Sequence, residues 1–174
     1  MLVEFLASTL RGLRATPRWL AIAIVLGWAT LIFELSAQSP EHLGVTRSAG
    51  NAWAMNLCHA PEYGAAMLFV LMALRGALLV ADKRAFRLAL ALVLAFAVSD
   101  EIHQSFTPGR DPSVCDILTD ACGASLVGAC VATIEHVRGG PAFARVIAIG
   151  LPACAIAALI ATFLPASFPG APWL

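Results

Sequence analysis

The run Ser99-Asp100-Glu101-Ile102-His103-Gln104-Ser105-Phe106-Thr107-Pro108-Gly109-Arg110-Asp111-Pro112-Ser113-Val114-Cys115-Asp116-Ile117-Leu118-Thr119-Asp120-Ala121-Cys122-Gly123 gathers eight charged or strongly polar side chains into one segment: Asp100, Glu101, His103, Gln104, Arg110, Asp111, Asp116 and Asp120. The chain on both sides of it is apolar. Charge near hydrocarbon is costly, about 2.5–3.5 kcal/mol per Asp, Arg or Lys at a helix centre on insertion scales. The segment therefore reads as a polar turn at one membrane face, with a helix entering the bilayer from each side. A membrane protein that keeps so many charges together there is expected to use them.

Composition agrees. Of 174 residues, 60% are hydrophobic and only 13% charged, whereas a soluble domain carries about 25% charged residues. The formal net charge is zero, so nothing favours nucleic acid as a partner. The five cysteines form no Cys-x-x-Cys and are odd in number, which argues against a disulfide framework.

A bilayer core needs about 20 apolar residues per helix. Five runs qualify: Trp19 to Ser36, about Pro61 to Ala81, about Phe86 to Ser99 and on through Ile102, about Val114 to Ile134, and about Ala142 to Leu164. Pro61 suits a helix start, where its missing N–H costs nothing. The expected fold is an all-α transmembrane bundle of about five spans. Lys and Arg set its orientation. Threaded through five spans, Arg11, Arg14, Arg18, Arg75, Lys83, Arg84, Arg87, Arg138 and Arg145 fall on one side, and only Arg47 and Arg110 on the other. That places the N-terminus inside and the C-terminus outside a bacterial-type inner, or cytoplasmic, membrane. Residues 1–18 form an N-terminal interfacial segment, with Leu2, Phe5, Leu6, Leu10 and Leu13 on one face. Residues 19–165 form the membrane domain, and residues 166–174 a short tail. Trp19, Trp28 and Trp53 are expected as interfacial anchors.

The same threading sorts the acids. Glu34, Glu41, Glu62, Asp100, Glu101, Asp111, Asp116 and Asp120 fall at the outer side, and only Glu4, Asp82 and Glu135 at the inner. Helical spacing brings several together: His59, Glu62 and Tyr63 share a face, as do Glu101 with Gln104 and Asp116 with Asp120. Gly123 and Ala124 continue the Asp116–Asp120 face, where small residues permit close helix contact. Pro108-Gly109 predicts a tight turn and Ser113 a helix N-cap; Asp116, at N3, is a candidate for the polar site, with a capping-box acid as the alternative. Arg110 sits between the two, where the acids can pack around it.

Taken together, these residues resemble the VanZ family of small integral membrane proteins. The resemblance rests on Asp100-Glu101-x-x-Gln104-x-Phe106-x-Pro108-Gly109-Arg110-Asp111-x-Ser113-x-x-Asp116, followed by Asp120 and Gly123. Phe33-Glu34-Leu35-Ser36-x-Gln38-Ser39 is similar to the end of the family's first span, and His59-x-x-Glu62-Tyr63 stands in place of its His-x-x-x-Tyr segment. It covers about residues 20 to 135. For family founders it implies reduced sensitivity to the glycopeptide teicoplanin, and it supplies no biochemical mechanism.

The residues leave binding and catalysis both open. In the first reading Arg110, Glu62, Gln104, Asp116, Asp120 and Glu34 bind the head group of an envelope lipid or lipid-linked saccharide, with the Arg110 fork meeting phosphate or carboxylate. In the second, Glu101 and His59 act as acid and base on a lipid-linked substrate. His59, Glu62, Glu101, Asp116 and Asp120 are residue types that hold divalent cations. A lone Asp-x-x-x-Asp is too little to assign a metal, and no cofactor is expected. The expected partners are the membrane, a lipid or lipid-linked precursor, and a further membrane protein.

Overall fold

The computed structural model describes residues 2–38, 48–77, 82–108, 110, 112–137 and 140–164. Among them run six helices: α1 (Leu2–Arg14), α2 (Arg18–Ser36), α3 (Ala49–Met72), α4 (Asp82–Gln104), α5 (Val114–Ala132) and α6 (Gly140–Phe163). α3 and α5 each end in a π-helical turn, Ala73–Ala77 and Thr133–Val137. The all-α expectation holds. Four helical stretches, Arg18–Ser36, Ala49–Arg75, Val114–Glu135 and Gly140–Phe163, are long and apolar enough to cross a membrane. α4 has 23 residues, about 34 Å at 1.5 Å per residue, but carries charge at both ends.

The buried stripe of α4 explains how charge enters the bundle. Ala85, Ala89, Val93 and Ala97 recur every four residues and face inward. Continued by one more turn, the stripe becomes Asp100, Glu101 and Gln104, all buried. The opposite face shows Leu88, Leu92 and Val98 outward. α2 buries only Ala21, Ile32 and Ser36 and turns Trp19, Leu26 and Leu31 outward, as a helix against lipid does.

One helix start differs from the expectation. α3 begins at Ala49, so Pro61 lies inside it rather than at its first turn. Ser48 is the N-cap: its side chain accepts a hydrogen bond from the Asn51 backbone N–H at 3.2 Å. The added turns are held by α6, where Trp53 Nε1 donates to the Ala155 carbonyl (3.2 Å) and Asn56 Nδ2 to Thr162 Oγ1 (3.0 Å). Two of the three tryptophans expected as anchors are thus tied into the bundle. Trp28 Nε1 donates to the Glu62 carbonyl (3.0 Å) and its ring meets Phe69 edge-on at 5.5 Å, whereas Trp19 is 71% exposed.

The end of the bundle opposite the polar turn is closed by ions. Arg75, on the π-turn after α3, pairs with Glu135 on the π-turn after α5 (2.6 Å) and with Asp82 at the start of α4 (2.9 Å). Arg14, at the end of α1, reaches Glu135 (2.8 Å) and Asp82 (3.6 Å). Leu10 is buried against the bundle, with Val3, Leu6 and Ala7 packed beside it, while Leu2 and Phe5 stay exposed. The apolar face of α1 is therefore divided between the bundle and the surroundings.

Candidate functional site

The polar residues of the opening stretch meet at one end of the bundle because two helices approach there without side chains between them. A Cβ on Gly123 of α5 would lie 2.6 Å from the Ala60 Cα of α3 and closer still to the Ala60 carbonyl oxygen. One turn along α3, a Cβ on Gly64 would lie 3.3 Å from the Gly123 carbonyl oxygen. This backbone contact sets His59, the neighbour of Ala60, beside Asp120, one turn before Gly123. His59 Nδ1 and Asp120 Oδ1 are hydrogen-bonded at 3.0 Å.

α4 adds two carboxylates with different duties. Asp100 Oδ2 accepts three hydrogen bonds, from Ser36 Oγ of α2 (2.8 Å), Gln104 Nε2 (3.1 Å) and Tyr63 OH of α3 (3.3 Å). One carboxylate oxygen thus ties three helices together. Glu101 Oε1 accepts a longer bond from the same Gln104 amide (3.3 Å), and its Oε2 accepts from the Ser113 backbone N–H (2.8 Å).

That last bond removes the capping-box alternative for Asp116. Ser113 is the N-cap of α5 as expected, its hydroxyl accepting from the Cys115 N–H (3.1 Å). The N–H of Ser113 itself, which a capping-box acid at Asp116 would satisfy, is taken by Glu101 from the neighbouring helix. Asp116 is buried instead, and its Oδ1 has no hydrogen-bond partner. Asp100 Oδ1 and Asp120 Oδ2 are buried and unpartnered as well.

Arg110 does not pair with these acids directly. Its Nη2 donates to the Leu35 carbonyl at the end of α2 (2.8 Å), and its backbone N–H closes a turn onto Thr107 O (3.2 Å). Gly109, the other half of the expected Pro108-Gly109 turn, lies outside the described residues, as do Asp111, Glu41 and Arg47. Burial pulls the Arg110 guanidinium below its ordinary range, while Asp100, Glu101, Glu62 and Asp116 pull it back up. A guanidinium stays protonated throughout, so Arg110 is a cation in the electrostatic field of four acids. Glu62 is half-buried near it and near His59.

Glu34 stands apart. It is exposed on α2 with no side-chain bond to the cluster, contrary to its expected place in the site. The inward face of α2 is marked by Ile32 and Ser36, one turn apart. Glu34 lies two residues from each, on the opposite side of the helix. Sequence reasoning took the acid of this span and passed over Ser36. It also left out of the site Asp100 and Tyr63, both of which stood in the motifs. Thr119, fully buried between Asp116 and Asp120, gave no signal beyond its position.

An apolar cavity of about 300 Å³ opens between α2, α3 and α4. Ile32, Ala66 and Phe96 line it, and each sits about one turn deeper than a polar residue of the cluster: Ser36, Tyr63 and Asp100. The Tyr63 and Phe96 rings are 6.1 Å apart at this boundary.

A family model described as VanZ/LLP1 matches residues 19–135. The chain belongs to the VanZ/LLP1 family. With its apolar helices, that makes it a multi-pass membrane protein. No curated protein and no solved structure matches it. Every side chain of the polar cluster lies within the VanZ/LLP1 region, whereas α1 and α6 lie outside it. α6 serves the site indirectly, by holding the first turns of α3 through Trp53 and Asn56.

Proposed function

We propose that this VanZ/LLP1 protein binds the head group of an envelope lipid or lipid-linked saccharide in the polar cluster, with a hydrocarbon chain of the ligand in the apolar cavity. The observation that carries this reading is the stacking of the two. A cation, the Gln104 amide and several acids lie at one end of the bundle, about one turn above a cavity lined by Ile32, Ala66, Phe96 and other apolar side chains. An amphiphile has that division. Arg110 is the anion contact, and Glu62, Gln104, Asp116 and Asp120 take hydroxyl and amine groups. In this reading α4 also crosses the membrane and brings the spans to five, the N-terminus is inside, and the cluster faces outward across the inner membrane.

Lipid mass spectrometry on gently purified protein tests it. A head-group class retained by the wild type and lost on Arg110→Ala is the expected result. Equal lipid profiles for the two would overturn the reading.

One observation favours a second reading, catalysis at the same place. His59 is oriented by a buried carboxylate through the 3.0 Å bond to Asp120, the arrangement that holds an imidazole ready as acid or base. Glu101 is buried close by. If the protein turns over the lipid it retains, Glu101→Gln is expected to cut the rate by about 10²–10⁴-fold with lipid retention intact. Unchanged turnover in that variant would remove Glu101 from the chemistry.

A further inference from the structure

His59, Glu101 and Asp120 come from three helices, α3, α4 and α5. Each nevertheless offers one ligand atom within 4.8 Å of the other two. Three convergent ligands are the usual protein share of a metal site that keeps one position open. At metal–ligand distances of about 2.0–2.2 Å, ligand atoms stand about 3–4.4 Å apart, depending on coordination number. The triad is a small side-chain adjustment from closing on an ion.

A second observation is independent of that spacing. Asp120 is fully buried, yet its Oδ2 finds no hydrogen-bond donor. Asp116 Oδ1, one turn away on the same face of α5, finds none either. A buried acceptor left unpaired costs about 1–3 kcal/mol, and more when charged. Arg110 does not relieve these two oxygens, since its bond goes to the Leu35 carbonyl. A small cation able to take oxygen and nitrogen ligands together would satisfy both.

We propose that His59, Glu101 and Asp120 form a site for one divalent transition-metal ion of the manganese or zinc type, with Asp116 beside it as a further carboxylate. Imidazole among the donors disfavours magnesium and calcium, which prefer oxygen alone. The Gln104 amide and the Ser113 N–H each bond one oxygen of the Glu101 carboxylate, the kind of support that orients a metal ligand. Asp120 Oδ2 then changes from an unpaired acceptor into a ligand. This inference goes beyond the head-group reading: it moves Asp116 and Asp120 from head-group contacts to the ion, leaves Arg110, Glu62 and Gln104 to the head group, and can fail without that reading failing.

The test uses the full chain in detergent, stripped with chelator and titrated with Mn²⁺ alone under electron paramagnetic resonance. Saturation at one Mn²⁺ per chain, with nitrogen hyperfine coupling from an imidazole, is expected. Asp120→Asn and Glu101→Gln should each weaken binding at least tenfold, and the exposed Glu34→Gln should leave it unchanged. Absence of Mn²⁺ binding to the wild type, binding without nitrogen coupling, or full affinity in Asp120→Asn would each overturn the site. Should the two variants fail to fold, the nitrogen coupling in the wild type decides. Lipid retention through Arg110 is read separately and stands under either outcome.

Discussion

Gly123→Ala is expected to destabilise the protein by about 1–3 kcal/mol, and Gly123→Val to prevent it from folding, although each adds only methyl groups. The reason is what the new Cβ meets. It would lie 2.6 Å from the Ala60 Cα and 2.7 Å from the Ala60 carbonyl carbon, both backbone atoms of α3 that no rotamer change can move aside. The helices must separate, and interiors packed at native density do not absorb that freely. Separation also pulls His59 from Asp120, whose 3.0 Å bond lies within a turn of the contact on both helices. Gly27→Ala supplies the opposite sign. Nothing lies within 4 Å of a Cβ there, so the substitution should gain up to about 1 kcal/mol of helix propensity. Thermal melting of both variants in the same detergent checks the pair. Equal melting temperatures would mean that the α3–α5 contact does not set the stability.

That contact marks where sequence stopped being legible. Gly123 and Ala124 announced a packing face on α5. The matching step on α3, Ala60 and Gly64 at four-residue spacing, was hidden behind Pro61, which read as a helix start and cut α3 short. Helix content and the polar end of α4 were plain, because an apolar run from about Phe86 leads straight into Asp100, Glu101 and Gln104. The tasks of the individual acids were not plain. Glu101 takes the N–H of Ser113 on another helix, a bond between neighbours in space that no local capping pattern contains. That bond also leaves Asp116 no capping task. Glu34 looked costly as a charge in a span, but its cost depends on which side of α2 faces the bundle, and Ser36 rather than Glu34 lies on that side. Local spacing orders residues on one helix, whereas the site is decided by the rotation of each helix against the next.

Arg75→Met should be the most damaging change at the opposite end, with a loss of about 3–5 kcal/mol. Arg75 has only 4% of its side chain exposed, and Glu135, its partner at 2.6 Å, has 14%. Removing the cation leaves the Glu135 carboxylate in a dry site. Arg14 still reaches Glu135 at 2.8 Å, but its side chain is 34% exposed, and a partner screened by solvent replaces little of what is lost. For the same reason Arg14→Ala should cost under about 1 kcal/mol, and Asp82, with 42% of its side chain exposed, should matter less than Glu135. The double variant Arg75→Met with Glu135→Leu is expected to recover most of the loss, because apolar side chains of similar volume can replace a buried ion pair at little cost. A double-mutant cycle on thermal melting reads the coupling directly. Additive losses would show that the two residues act separately. Below its melting temperature, Arg75→Met should retain the same lipids as the wild type, since the pair joins the π-turns of α3 and α5 at the end of the bundle away from Arg110.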